Sequence, residues 1–320
     1  MAKLYSALLL VICFALTGSA FASDDPMVEK KKVYSKSYDL NGNDRVSLSN
    51  QFGAMKINTW AKNEVKVEVT ITAEAKSDNR AQDILDGITI TDGKSSDGVY
   101  FKTKTKSNNS VEKGEKTRFQ VDYEVFMPAK NPLTASNEFG SIVMGDHNGE
   151  ASITSKFGSA RIGKLTNAKK VWIEFGSLII ESMNNGNLTI KFSSAEVKKS
   201  SGEINVDIEH SSAKLSVDND VKKLTVKNSF SPLLLDVPSN FSATYDIRTS
   251  FAKFKNKTSF AINKEDEGEN RGPKFDFDYS GKSGNGETTV KVKTSFGDVT
   301  LGHNLPFKVD DKNKGKTKDI

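Results

Sequence analysis

The chain has 320 residues, a formal net charge of +5 with basic and acidic residues interleaved, and one cysteine, Cys13. Interleaved charge argues against a nucleic-acid-binding stripe. Loss of the first 22 residues would remove Lys3 and Cys13, leaving +4 (+5 minus one) and no thiol for a disulfide, a thiolate metal site or a nucleophile.

Those 22 residues read as a signal peptide: Lys3, an apolar run over residues 7–16, and Ala20-Phe21-Ala22 before Ser23. The run is shorter than the ~20 residues that span a bilayer. Ile12 before Cys13 is not the small residue of a lipoprotein signal. No second apolar stretch of membrane length follows, so export by the general secretory route is expected, with no membrane-spanning segment. Residues 23–33 are charged and read as a disordered linker.

Residues 34–133 read as an N-terminal β region that caps the repeats after it. Asn41-Gly42 signals a hairpin. Residues 64–73 and 117–127 alternate as strands, and residues 77–85 read as a short helix capped by Ser77 or Asp78.

Residues 134–304 carry a repeat. An aliphatic residue, three residues, a Phe, a small residue, then further apolar positions recur at Phe139, Phe157, Phe175, Phe192, His210, Phe230, Phe251 and Phe296, and once earlier at Phe52. From Phe139 the spacings are 18, 18, 17, 18, 20, 21 and 45 residues. The last step holds a polar loop over residues 263–272, and residues 305–320 read as a solvated tail. Each repeat has two alternating runs, the period of β-strands. Gly, Ser or Ala always follows the Phe position, as a tight corner requires. A second corner nine to eleven residues later is rich in Asn and Gly, which tolerate left-handed backbone. Two strands and two corners in about 18 residues make one coil of a parallel β-solenoid (β-helix). The fold is therefore expected to be all-β. Outward residues before the corner run Glu138, Lys156, Glu174, Lys191, Glu209, so opposite charges should stack in register. Phe175 alternates with Val171 and Ile173 and reads as core, so Phe175→Asp should bury a charge.

Candidate chemistry is sparse. Asp39, Asn41 and Asn43 imitate the start of a calcium loop, but Asp44 and Asn50 stand where that loop wants Gly and an acid; a plain turn is the better reading. His147, His210 and His303 lie far apart with no metal spacing. His210 reads as a buried or rim histidine in the stack, and His147 and His303 as solvated turn residues. Gly281 to Gly286 precedes a strand and reads as a hairpin turn rather than a phosphate cradle. Asp276 and Asp278 face one side without the partners a polysaccharide lyase needs. No catalytic, cofactor or metal residue is assigned. Trp172 alternates outward and is the one candidate partner contact.

The signal peptide, the serial SxFG corners, YEVFMPAKNPLTASNEFGSIVMGDHNG at residues 123–149 and TVKVKTSFGDVTLG at residues 289–302 together resemble the bacterial putative-adhesin families, such as those with an autotransporter-adhesin head (GIN) domain. The resemblance covers most of the chain after residue 22. It implies an exported, envelope-associated binding protein and offers no catalytic residues to carry over. The expectation is a non-enzymatic envelope protein without cofactor, periplasmic or at the cell surface, presenting a rigid β-solenoid to an envelope, glycan or protein partner. The alternative is a periplasmic structural or envelope-stress-related protein with no external ligand, and, behind it, a glycan-active β-helix enzyme.

Overall fold

A computed structural model describes residues 27–106, 116–265 and 275–310. The expected signal peptide with Cys13, most of the polar loop at 263–272 and the end of the tail lie outside the described residues. The described chain is all-β apart from one helix, and its strands join one 21-stranded sheet of mixed parallel and antiparallel pairing.

Two ladders run side by side and meet at the Phe corner. The ladder before the corner stacks Gly98–Thr105, Arg45–Gln51, Leu133–Glu138 and His147–Lys156 in parallel. It continues through the second halves of Ser159–Glu174, Ser177–Lys191, Ser194–Glu209 and Ser212–Ser229. Thr288–Ser295 and then Ala243–Ser250 follow, still parallel. The ladder after the corner stacks Arg118–Pro128, Met55–Trp60 and Ile142–Met144. It then takes the first halves of the same four long strands, and ends in Leu233–Asp236, Val299–Gly302 and Phe254–Asn256.

Antiparallel strands close both ends. Ile88–Ser95, Glu64–Ala75 and Val28–Asp39 cover the first, and Asp276–Ser283 with Ala261–Lys264 the second. Such covers protect open strand edges from pairing with other chains.

Burial alternates along strands such as Arg45–Gln51 and Glu64–Ala75, because successive side chains point to opposite faces. The inward set is aliphatic: Ile153, Ile173, Ile190 and Ile208 on one ladder, and Leu178, Ala195 and Ala213 on the other, all within 1 % exposure. The outward charge ladder has the expected register. Lys156 pairs with Glu138 and Glu174, and Lys191 with Glu174 and Glu209. Two of these contacts are ion pairs, Lys156–Glu174 at 3.4 Å and Lys191–Glu209 at 2.7 Å.

The helix Asp78–Asp86 is capped by Ser77, whose hydroxyl accepts from the Arg80 amide.

Several expectations are corrected. Val28 to Val33, assigned to a disordered linker, form the first half of the strand Val28–Asp39, held by a full antiparallel register on Glu64–Ala75. Asn41 to Asp44 do turn, closed by Asn41 N–H to Asp44 Oδ2 at 2.9 Å. The flanking strands nevertheless pair with different partners, so no hairpin forms there. The Gly281 to Gly286 turn joins Asp276–Ser283 to Thr288–Ser295, and both pair with Ala243–Ser250 between them instead of with each other. The strand ending at Phe296 lies between those ending at Phe230 and Phe251, so the last repeats are not stacked in chain order.

Candidate binding surface

The Phe position is the corner itself. All nine corner residues, from Phe52 through His210 to Phe296, have left-handed backbone with φ between 48° and 64°. For a non-glycine residue this costs about 1–2 kcal/mol. It also breaks the in–out alternation of the preceding strand. Val171 and Ile173 are buried, yet the Phe175 ring turns outward and is 45 % exposed. The expectation that Phe175 is a core residue is thereby overturned: alternation predicts facing only while the backbone stays extended.

Turned outward, the rings stack on one another. Phe52, Phe139, Phe157, Phe175, Phe192, His210, Phe230, Phe296 and Phe251 form a column with centroids 4.7–5.2 Å apart and planes within 8°. Phe275 continues it at 4.6 Å, and Phe119 meets Phe52 edge-on at the other end. Ten steps of about 4.8 Å make a stripe roughly 50 Å long. Its ten phenylalanines are 36–52 % exposed. At roughly 80–100 Å² each, the stripe offers on the order of 900 Å² of apolar surface, more than the largest patch of an ordinary monomer. Stacking, about 0.5–1.5 kcal/mol per pair, offsets the backbone strain. It also occupies the ring faces, so a partner meets ring edges.

Beside the rings lies a shallow groove. Its floor is the small residue after each ring, Gly53, Gly140, Gly158, Gly176, Ser193 and Ser211. Its far wall is the next residue on, including Ser141, Ser159, Ser177, Ser194 and Ser212. Two stretches enclose about 470 Å³ around Phe52 to Phe157 and about 380 Å³ around Phe175 to His210. Ser159, Ser177, Ser194 and Ser212 are directly in register on successive strands. Asp310 lies in the second stretch, its amide donating to Ser194 Oγ at 3.1 Å.

His210 is exposed in the ring column between Phe192 and Phe230, at 5.1 and 4.7 Å. His303 is half-buried, with Nδ1 2.7 Å from the Val237 carbonyl. His147, expected in solvent, is fully buried, and neither ring nitrogen has a hydrogen-bond partner. Burial pushes its pKa down to about 4, so it is held neutral. The Asn-rich corner that suggested solvent is closed over by the neighbouring repeat, with His147 in register with buried Leu165.

Trp172 is half-buried on the outward side, between Lys170 at 4.6 Å and Lys191 at 5.8 Å from the ring. It lies on the ladder before the corner, and is not among the residues lining the groove. Trp172 and the ring column are thus separate outward aromatic features, and the ring column escaped sequence reasoning. Its one signal was the Gly, Ser or Ala after each Phe, which marked a corner without saying where the ring goes. Among the described residues no three His, Cys, Asp or Glu side chains cluster as metal ligands, and no helix is long and apolar enough to cross a membrane.

No protein-family model matches the chain, and no curated protein matches it. Solved structures to which it is similar include a putative cell adhesion protein from Clostridium sporogenes, at 13 % identity over 86 % of this chain and 100 % of that one, TM-score 0.26. A putative adhesin from Bacteroides fragilis is similar at 8 % identity over 85 % and 97 %, TM-score 0.26. A putative lipid binding protein from Parabacteroides distasonis is similar at 10 % identity over 84 % and 96 %, TM-score 0.33. Likeness this loose carries no argument about function.

Proposed function

We propose that the strands wind as a parallel β-solenoid and that the protein is a non-enzymatic, exported envelope protein whose solenoid presents a binding surface. The observation that carries this reading is the half-exposed ring column. Eight of the nine strained corners hold phenylalanine rings toward solvent, where the same backbone would be cheaper with Gly or Asn. Parallel pairing at the repeat interval supports the winding. The signal-like first 22 residues support export. Trp172, bracketed by two lysines, is proposed as an accessory contact.

The test applies purified protein lacking residues 1–22 to an array of envelope glycans, lipids and proteins. Specific retention that falls when Phe157 and Phe175 are replaced by Asn is the expected result. Failure to retain any component would overturn the reading. External protease applied to intact cells, with lysed cells as control, then separates the cell surface from the periplasm. Survival in intact cells, with degradation on lysis, would favour the periplasmic structural role.

A further inference from the structure

Residues 303–310 leave the strand Val299–Gly302 and double back along the stack. Leu305 is buried, and its amide is 3.3 Å from Asp236 Oδ1. Five residues later the Asp310 amide is bonded to Ser194 Oγ. In register, Asp236 sits two strands further along the ladder than the strand of Ser194. The segment therefore crosses the repeats instead of pairing with them. It alternates as it goes: Leu305, Phe307 and Val309 are buried or half-buried, while Pro306, Lys308 and Asp310 are exposed. It ends inside the groove lined by Phe175, Phe192 and His210.

The structure thus contains one worked instance of what the groove takes. Of that segment Asp310 lines the groove, held through its main-chain amide to a serine hydroxyl. The hydroxyl that receives it is one rung of a column. Ser177 and Ser159 occupy the same register on the next two strands, and Ser159 lies in the stretch around Phe52 to Phe157, which Asp310 does not line. A second feature makes this open part suited to main chain. In the covered part, the corner amides of Gly176, Ser193 and Ser211 donate to the serine hydroxyl of the next repeat. At Gly140 and Gly158 the residue in that position on the next repeat is glycine and offers no hydroxyl. A backbone supplies carbonyl acceptors as well as amide donors, which an acyl chain does not.

We infer that the groove along the ring column is a docking track for an extended polypeptide, and that Asp310, at the end of the segment 303–310, is its intramolecular occupant, which among the described residues leaves the stretch from Phe52 to Phe157 uncovered. This rests on the binding-scaffold reading and names its partner class. Sugars are disfavoured, because stacking leaves no ring face free along the column.

The test uses a fluorescently labelled peptide, HNLPFKVD (residues 303–310), titrated onto the protein lacking residues 1–22 and followed by anisotropy. Phe307→Asp with Val309→Asp, which unseats the intramolecular segment, is expected to bind the peptide at least tenfold more tightly than the parent. Adding Phe157→Asn and Phe175→Asn, residues suited to left-handed backbone, should reverse that gain at least tenfold while strand content by circular dichroism is kept. A disulfide lock of Ser194→Cys with Asp310→Cys, in a chain with no other thiol once residues 1–22 are gone, should weaken binding, and reductant should restore it. It needs no destabilised variant. Equal affinity in locked and reduced forms, or indifference to the ring substitutions, would overturn the inference. Phosphatidylglycerol vesicles form the control arm. Vesicle binding without peptide binding would overturn the peptide track and leave the scaffold reading standing, whereas binding of neither would count against both.

Discussion

From Phe52 to Phe230 the ring column is built on two kinds of corner, and these two halves solve one problem differently; Gly297 and Ala252 follow the rings beyond. From Phe52 to Phe175 the residue after the ring is glycine. A Cβ at Gly140, Gly158 or Gly176 would fall 1.8–2.0 Å from the carbonyl oxygen of the preceding corner. Backbones there approach so closely that no side chain fits. From Phe192 to Phe230 the residue is serine, and each hydroxyl bridges repeats. Ser193 Oγ accepts from Gly176 N–H at 3.1 Å and donates to the Lys191 carbonyl at 2.6 Å, and Ser211 and Ser231 repeat the arrangement. Direct packing admits no substitution, whereas a polar bridge is one replaceable interaction among many. The same ring spacing survives across the boundary, so the column does not depend on which device is used.

The sharpest way to break this comparison is to exchange the devices. Gly158→Ser puts a Cβ against the Gly140 backbone, and a loss of about 3 kcal/mol or more is expected in denaturant unfolding. An unchanged midpoint would show that the glycine corners have slack. Acid should act on the glycine half as well, through His147. The unfolded chain takes up a proton near pH 6.5, while the folded chain refuses it until about pH 4. Stability is therefore full above about 6.5 and declines as pH falls through that window, by up to about 3 kcal/mol. His147→Phe should flatten the decline, and melting curves of parent and variant that stay parallel from pH 7 to 4 would refute the assignment.

Phe175→Asn tests the column where the two halves meet. It relieves left-handed strain but removes two stacking contacts, at 5.0 and 4.8 Å. A net loss of about 1 kcal/mol is expected. A loss of 4 kcal/mol would mean that the ring is core after all. Ser193→Gly, the reverse exchange, removes one bridge and should cost about 1 kcal/mol. If it proves as costly as Gly158→Ser, the distinction between the halves fails. Lys156→Glu places three like charges in line with Glu138 and Glu174. Exposed pairs of this kind contribute less than about 1 kcal/mol, and the small loss should shrink further in high salt. A salt-independent effect would point to packing by the lysine stem.

Local patterns alone determined a good deal here. The charge alternation at Glu138, Lys156, Glu174, Lys191 and Glu209 follows from the repeat spacing, because one strand per repeat puts equivalent residues on neighbouring strands. The Ser77 cap and the strand at residues 64–73 were legible because caps and alternation are short-range signals. Parity fails at the corner, where one left-handed residue reverses facing, so the outward rings were visible only in three dimensions. The order of the last repeats was equally hidden. A parallel strand edge accepts any strand with the right face, and only the complete packing puts Thr288–Ser295 between Ser212–Ser229 and Ala243–Ser250. His147 and the seat of Leu305 to Asp310 depend on residues remote in the chain, so tertiary structure decided both: burial of a side chain is set by what closes over it, and no pattern local to either segment carries that.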